Sequence, residues 1–433
     1  LIRLRHLLGS FCLAAWAHDL PREVTVRVFL RPEAGRLQVL VRAPLASMRD
    51  VVFPQRGPGY LDFAQVDPLL DDAAKLWIAG ALAMEEDGVP LAAPRVVATR
   101  LALEADPSFA DFASAQARFQ APKLGNDTNV YWTQTQLDAW LEYPIRSPQS
   151  RFAVRSQLAR LGWRVSTVLR FWPPGTPGRS FEFTGDPGWV HLNPTLADTV
   201  ARFAPAGFAF WLRHTDSVLL ALALLAPLAF RHGVRAVAAL LLAHALALWV
   251  AAGPAPGEPL WWRPLADLLL ALIITYTAAE NVARPGASWR WGLAFTGGLV
   301  LGWTHALAWR ESAQFAVDHR AVSVAAFHLG IDSALLLAAA ALILVFFWLR
   351  RWARPPHLAT VITSAFVAHA AGHACADRFS LLRQFDLPAP AGDAAFWAAA
   401  ARTALYAAVA AGAAWAFRAL WPRPQDRGPQ DSA

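Results

Sequence analysis

The chain has 433 residues, of which 56% are hydrophobic and only 16% charged. Soluble domains carry roughly 25% charge, so the deficit excludes an ordinary soluble protein, and the length exceeds one ordinary domain. The formal net charge is +7, and all but Lys75 and Lys123 of the 39 basic residues are Arg. The basic residues of the second half lie between apolar runs, where membrane topology accounts for them, so no nucleic-acid partner is expected.

Residues 1–17 have the order of a signal peptide. Arg3 and Arg5 precede a short apolar run over 6–15, and Ala15-Trp16-Ala17 fits the small-x-small cleavage rule. The run is short for a spanning helix. Cleavage after Ala17 would leave His18 at the new N-terminus. Cys12 falls in this segment and Cys375 in a later apolar helix, so residues 18–205, the expected exported domain, contain no cysteine and form no disulfide.

That domain is expected to be β-rich with one or two inserted helices. Residues 23–31 and 36–43 alternate in character around Glu33-Ala34-Gly35, which predicts a hairpin. Leu69, Leu70, Ala73, Leu76, Trp77, Ala81 and Leu82 have helical spacing, which predicts a helix over 68–86 starting at Asp67-Pro68. Further strands are expected over 95–104, 137–145, 163–172 and 179–184. The domain has neither a Gly-rich phosphate loop nor catalytic-triad spacing nor a metal cluster, so its expected roles are support and recognition, with an envelope protein or a metalloenzyme-maturation factor as partner.

From residue 206 to 420 seven runs are long enough to span roughly 30 Å of hydrocarbon: 207–230, 234–252, 264–283, 291–309, 321–349, 358–376 and 394–417. The expected architecture is therefore an α-helical bundle of about seven transmembrane helices behind a periplasmic domain, with a cytoplasmic tail over 421–433. Export of the first domain makes the first helix run inward. The loops that are then cytoplasmic carry Arg231, Arg235, Arg284, Arg290, Arg350, Arg351, Arg354, Arg418, Arg423 and Arg427, against Arg263, Arg310, Arg320, Arg378 and Arg383 on the opposite side. That bias obeys the positive-inside rule and places the protein in a bacterial inner membrane, in contact with lipid. The 20 Trp residues fit the same setting as interfacial anchors.

Ionisable residues within these runs are costly and mark function by default. His214, Asp216, His244, Asp267, His305, His328, Asp332, His369 and His373 all fall at or above the expected midplane, on six helices. His328 and Asp332, like His369 and His373, are spaced i and i+4 and so share a helix face. Imidazole with carboxylate suits Ni, Zn, Cu or Fe. The alternative is that these groups make helix–helix hydrogen bonds, with Asp267, Glu280 and Asp332 pairing to Arg213. An intramembrane zinc hydrolase built on His369 and His373 lacks its general base, because Ala370 stands where that chemistry needs Glu. No enzymatic activity is expected.

The second half resembles the HupE/UreJ family of hydrogenase and urease accessory membrane proteins. Gly185-Asp186-Pro187-Gly188 leads into the similarity. Asp216 matches the Asp of the family's first-helix motif, while Phe210 and Ser217 stand where that motif has His, and His214 stands at its Gly. Ala243-His244, Asp267, Glu280-Asn281 and His373 match in order, and Phe327-His328-Leu329-Gly330-Ile331-Asp332 stands where the family has Phe-Asn-x-Gly-x-Glu. The helix-4 motif reads Gly298-Leu299-Val300-Leu301-Gly302, with His305 one turn past the vacated His. The resemblance implies a nickel or cobalt permease, with zinc less favoured, that carries the metal as cargo and holds no tightly bound cofactor. A non-transporting, membrane-anchored recognition or accessory module is the alternative.

Overall fold

The computed structural model describes residues 23–227, 230–253, 259–284, 289–353, 355 and 357–386, with isolated positions at 397, 401, 411 and 412. The expected signal peptide with His18, almost all of the expected seventh span and the expected tail lie outside the described residues. The chain divides into two compact units, 1–194 and 195–433.

The first unit is β-rich, as expected. Strands β1 (Glu23–Glu33) and β2 (Arg36–Pro44) pair antiparallel around Ala34 and Gly35, both at positive φ as a tight hairpin turn requires. After the two-residue strands β3 (Gln55–Arg56) and β4 (Tyr60–Leu61) comes helix α1 (Asp67–Ala73). The helix predicted to run to residue 86 is shorter. Its turns continue irregularly to Ala81, and Leu82–Glu86 is strand β5. The helical spacing hid a local period of two: Leu82, Met84 and Glu86 are all buried, and β5 pairs with β9 (Phe152–Ser156).

Short β6 (Val89–Pro90), then β7 (Arg95–Leu103), helix α2 (Phe112–Arg118), β8 (Thr135–Pro144), β10 (Arg164–Phe171), β11 (Arg179–Thr184) and β12 (Trp189–His191) complete the unit. The main sheet has the order β11-β10-β1-β2-β8-β7, and β12-β9-β5-β6 forms a second. Helix α2 packs Phe112, Ala115 and the following Phe119 on Phe29 and Leu40 of the main sheet.

The second unit is helical. Thr195 opens it with a reciprocal capping box to Asp198, which satisfies two end donors of helix α3 (Leu196–Arg213). Then follow α4 (Thr215–Leu225), α5 (Phe230–Ala251), α6 (Trp262–Ala283), α7 (Arg290–Ser312), α8 (Arg320–Trp352) and α9 (Leu358–Leu382).

The described residues support the seven-span expectation in part. The first run is not one straight helix, because α3 and α4 meet at His214 with a bend of 66°. His214 has extended backbone angles, ending one helix and starting the next. Among the described residues four helices are long and apolar enough to cross a membrane: α5, α6, α8 and α9. The bent pair makes a fifth if it counts as one span. Helix α7 is not among them. Much of its surface is buried against protein, including Thr304 and His305, so it does not need a uniformly apolar exterior.

Glycines set the closest helix approaches. A Cβ at Gly298 would meet the Leu240 carbonyl, and one at Gly302 the carbonyl of His244, so this small-xxx-small pair lets α7 lie directly on α5. Gly207 and Gly330 do the same for α3 and α8, each facing the other helix's backbone. Gly302→Leu is expected to destabilise the bundle by about 1–3 kcal/mol, the usual cost of overpacking. The check is the thermal unfolding midpoint in detergent; an unchanged midpoint would count against the close α5–α7 contact.

Candidate metal centre

The α5–α7 contact fixes where the first imidazoles meet. With Gly302 against the His244 carbonyl, His305, one turn on, comes level with the His244 ring. Both are fully buried, and His244 Nε2 lies 3.0 Å from His305 Nδ1. His305 Nε2 lies 3.0 Å from Ser217 Oγ, which lies 2.8 Å from His214 Nδ1 at the α3–α4 bend. Phe210, one turn earlier on α3, stacks on His214 and meets His305 edge-on.

On its other side His244 faces α8. Its Nδ1 is 3.4 Å from Asp332 Oδ1, and His328 Nε2 is 3.0 Å from Asp332 Oδ2. The i, i+4 spacing places His328 and Asp332 on one face of α8. His328 Nδ1 accepts a hydrogen bond of 3.3 Å from Trp249 Nε1 on α5. One donor atom from each of His244, His328 and Asp332 lies within 4.8 Å of the others.

These three side chains share an unusual feature. His244 Nδ1, His328 Nε2 and Asp332 Oδ1 are buried and have no aligned hydrogen bond. Their contacts at 3.0 and 3.4 Å are misaligned, and a buried polar atom without a well-made hydrogen bond costs about 1–3 kcal/mol, so three in one place call for a better partner. A divalent cation satisfies all three, since metal–ligand bonds of about 2.0–2.2 Å require only a modest closing of the ring of donors. Two neutral imidazoles and one carboxylate leave coordination positions open, which suits an ion that must be exchanged.

The nine residues predicted as one set separate into groups. His214, His244, His305, His328 and Asp332 form one continuous contact chain, in which His214 and His305 engage neighbouring side chains. Asp216 is buried but paired with Arg378 Nη2 at 2.6 Å, and Arg378 Nη1 donates to the Asp267 backbone carbonyl at 2.8 Å. His369 and His373 meet edge-on with ring centroids 4.6 Å apart on an exposed side of α9. Asp332 faces the two imidazoles, not Arg213. Glu280 is buried at the far end of α6, and neither of its carboxylate oxygens has a hydrogen-bond partner.

Ser217 and Trp249 belong to the site and were not predicted. Ser217 carried one signal, because it occupies a position where the family motif has His. Trp249 carried none, because a Trp near a helix end in a chain so rich in Trp reads as an interfacial anchor.

Comparison with known proteins agrees with the motif resemblance over the same region. Residues 189–377 match the family model described as HupE / UreJ protein, somewhat less than half of the chain. The match includes every residue of the His–Asp cluster. No curated protein and no solved structure matches.

Proposed function

We propose that this chain is a HupE/UreJ-type integral membrane protein of the bacterial inner membrane that conducts a divalent transition-metal ion, of the nickel or cobalt type. The ion is cargo, held in transit by His244, His328 and Asp332. The reading rests on one observation above the others: three buried ligand atoms from α5 and α8 converge within 4.8 Å of one another, none of them in an aligned hydrogen bond. The family match over residues 189–377 supports it, since proteins of that family are permeases or accessory membrane proteins rather than enzymes. The positive-inside bias supports a periplasmic β-rich unit and a cytoplasmic C-terminus.

The test is uptake of Ni²⁺ or Co²⁺ into sealed proteoliposomes containing the full-length chain. Uptake should exceed that of empty vesicles and fall to their level in the double variant His328→Ala/Asp332→Ala. Equal uptake by variant and parent would remove this site from transport. A second reading, a membrane-anchored accessory module with an envelope partner, draws on the Asp216–Arg378 pair, which neutralises an acidic position of the family motif. Metal bound by the parent protein without uptake would favour it.

A further inference from the structure

His244 can offer Nδ1 to a metal only when its ring proton sits on Nε2. Neutral imidazole has one N–H and one lone pair, so the partner of one nitrogen decides what the other presents. The partner of Nε2 is His305 Nδ1, which accepts that proton only if His305 carries its own on Nε2. His305 Nε2–H then donates to Ser217 Oγ, and the Ser217 hydroxyl donates to His214 Nδ1. Every contact in the chain is 2.8–3.0 Å, and the reversed direction would instead aim a His244 Nδ1–H at Asp332 Oδ1, where no aligned hydrogen bond forms. The forward direction leaves the His244 Nδ1 lone pair bare at 3.4 Å from Asp332 Oδ1, and both atoms lack a hydrogen bond.

The other imidazole is set the opposite way. Trp249 Nε1–H can only donate, so His328 Nδ1 must be the lone-pair nitrogen and Nε2 carries the proton toward Asp332. For Nε2 to ligate a metal, that proton must move to Nδ1, and the indole hydrogen bond must be given up. The ring stays neutral throughout, with one proton before and one after.

We propose that His305, Ser217 and His214 are positioning residues that hold His244 in its metal-accepting tautomer, while Trp249 holds His328 in the tautomer that refuses metal. One ligand is ready and the other is held back, so the ion is bound less tightly than the same triad would bind it unrestrained. A transit site needs that property, because an ion held too firmly is not released. The inference rests on the triad being the metal site.

The experiment is titration of the purified full-length protein in detergent with Co²⁺, with ¹⁵N NMR of the metal-free protein to read the tautomers. His305→Phe keeps an aromatic ring and removes the acceptor, and should weaken Co²⁺ binding about 10–100-fold, as loss of a hydrogen bond that orients a ligating imidazole does. His305→Gln can accept from His244 and donate to Ser217, and should recover most of that loss. Trp249→Phe should tighten binding about two- to tenfold, the span of one ordinary hydrogen bond. A merely structural disturbance would weaken binding in both variants, so the opposite signs decide. Weaker binding in Trp249→Phe, or parent-level binding in His305→Phe, overturns the proposal. So does a ¹⁵N spectrum with the His244 proton on Nδ1. If the parent binds no Co²⁺ but the spectrum shows His244 protonated at Nε2 and His328 likewise, the metal reading fails while the tautomer chain stands.

Discussion

Replacing Asp332 by Asn should abolish tight binding of a divalent metal, weakening it by more than about a hundredfold. That exceeds the 10–100-fold typical of losing a group that only orients a ligand, because the substitution removes the triad's anionic ligand. Asn keeps the size and one carbonyl oxygen, so the helix packing should survive. What it loses is charge. Asp332 is the carboxylate that faces both His244 and His328, and a cation brought out of water needs a counter-charge to offset its desolvation. His244→Ala should have an effect of similar size but is a poorer test, because it also empties a fully buried position. The informative controls are Asp216→Asn and the pair His369→Ala/His373→Ala. Asp216 is spent on Arg378, and the α9 histidines are exposed, so these variants should leave the triad's affinity within about threefold of the parent, the ordinary context-dependent scatter of non-contacting changes. Calorimetry with Co²⁺ reads all three. If Asp216→Asn were as damaging as Asp332→Asn, the residues would act as one vestibule and the division into groups would fall.

The same contrast shows how far the sequence reaches into the site. The i, i+4 pair on α8 was legible, because a helix's own geometry places His328 beside Asp332. The approach of His244 and His305 was half legible. Both were recognised as ionisable residues inside spans, but what brings them together is Gly298 and Gly302, whose effect depends on which helix lies alongside. The fate of Asp216 was not legible. Its charge is used by Arg378, some 160 residues away and on another helix, and sequence spacing carries no information on such a pair.

The fold divides similarly. The β1–β2 hairpin, β7, β8, β10 and β11 follow from local alternation and a turn that only certain residues make. The stretch after α1 departs from expectation because seven apolar positions fit a helix while the last of them, Leu82, opens a strand that pairs with β9, a contact made from more than sixty residues further on. The bend at His214 was missed for a different reason. A run of apolar residues reports that a segment is buried, not that it is straight, and neither proline nor glycine stands at the break.

The largest expected loss of stability lies in the β-rich unit. Arg42 and Asp138 are cross-strand partners in the β2–β8 register, both buried, and joined by two bonds of 2.7 Å from Nε and Nη2 to the two carboxylate oxygens. Arg42 also donates to the Asp106 carbonyl and to Ser108 Oγ, and its guanidinium lies 4.4 Å from the Phe109 ring centroid. Asp138→Ala should cost about 3–5 kcal/mol, because it leaves a guanidinium buried with its main partner gone. Replacing both members by apolar residues, as in Arg42→Met/Asp138→Leu, should cost much less, since the desolvation of both charges disappears with the pair. Hydrogen exchange of β2 and β8 amides in the full-length protein reads the difference, and equal protection in the two variants would refute the argument.

Asp106 adds a pH dependence with a definite sign. Burial alone would raise its pKa, but hydrogen bonds from Ser108 and the charge of Arg42 bring it down to about 2. An unfolded Asp has its ordinary value near 3.8. A group depressed on folding contributes stability above the unfolded value and loses it as pH falls through the folded one. The unit should therefore weaken between about pH 4 and pH 2, and Asp106→Asn should flatten that part of the profile. Asp138 acts in the opposite sense, because burial raises its pKa in spite of Arg42. Its charge is carried at a cost, so its contribution declines with rising pH and does not mimic the acid loss assigned to Asp106. An acid profile unchanged by Asp106→Asn would place the acid sensitivity elsewhere, with Glu86 the next candidate, since it too is held below its ordinary value: burial raises it, but the Arg146 and Ser147 backbone amides outweigh that.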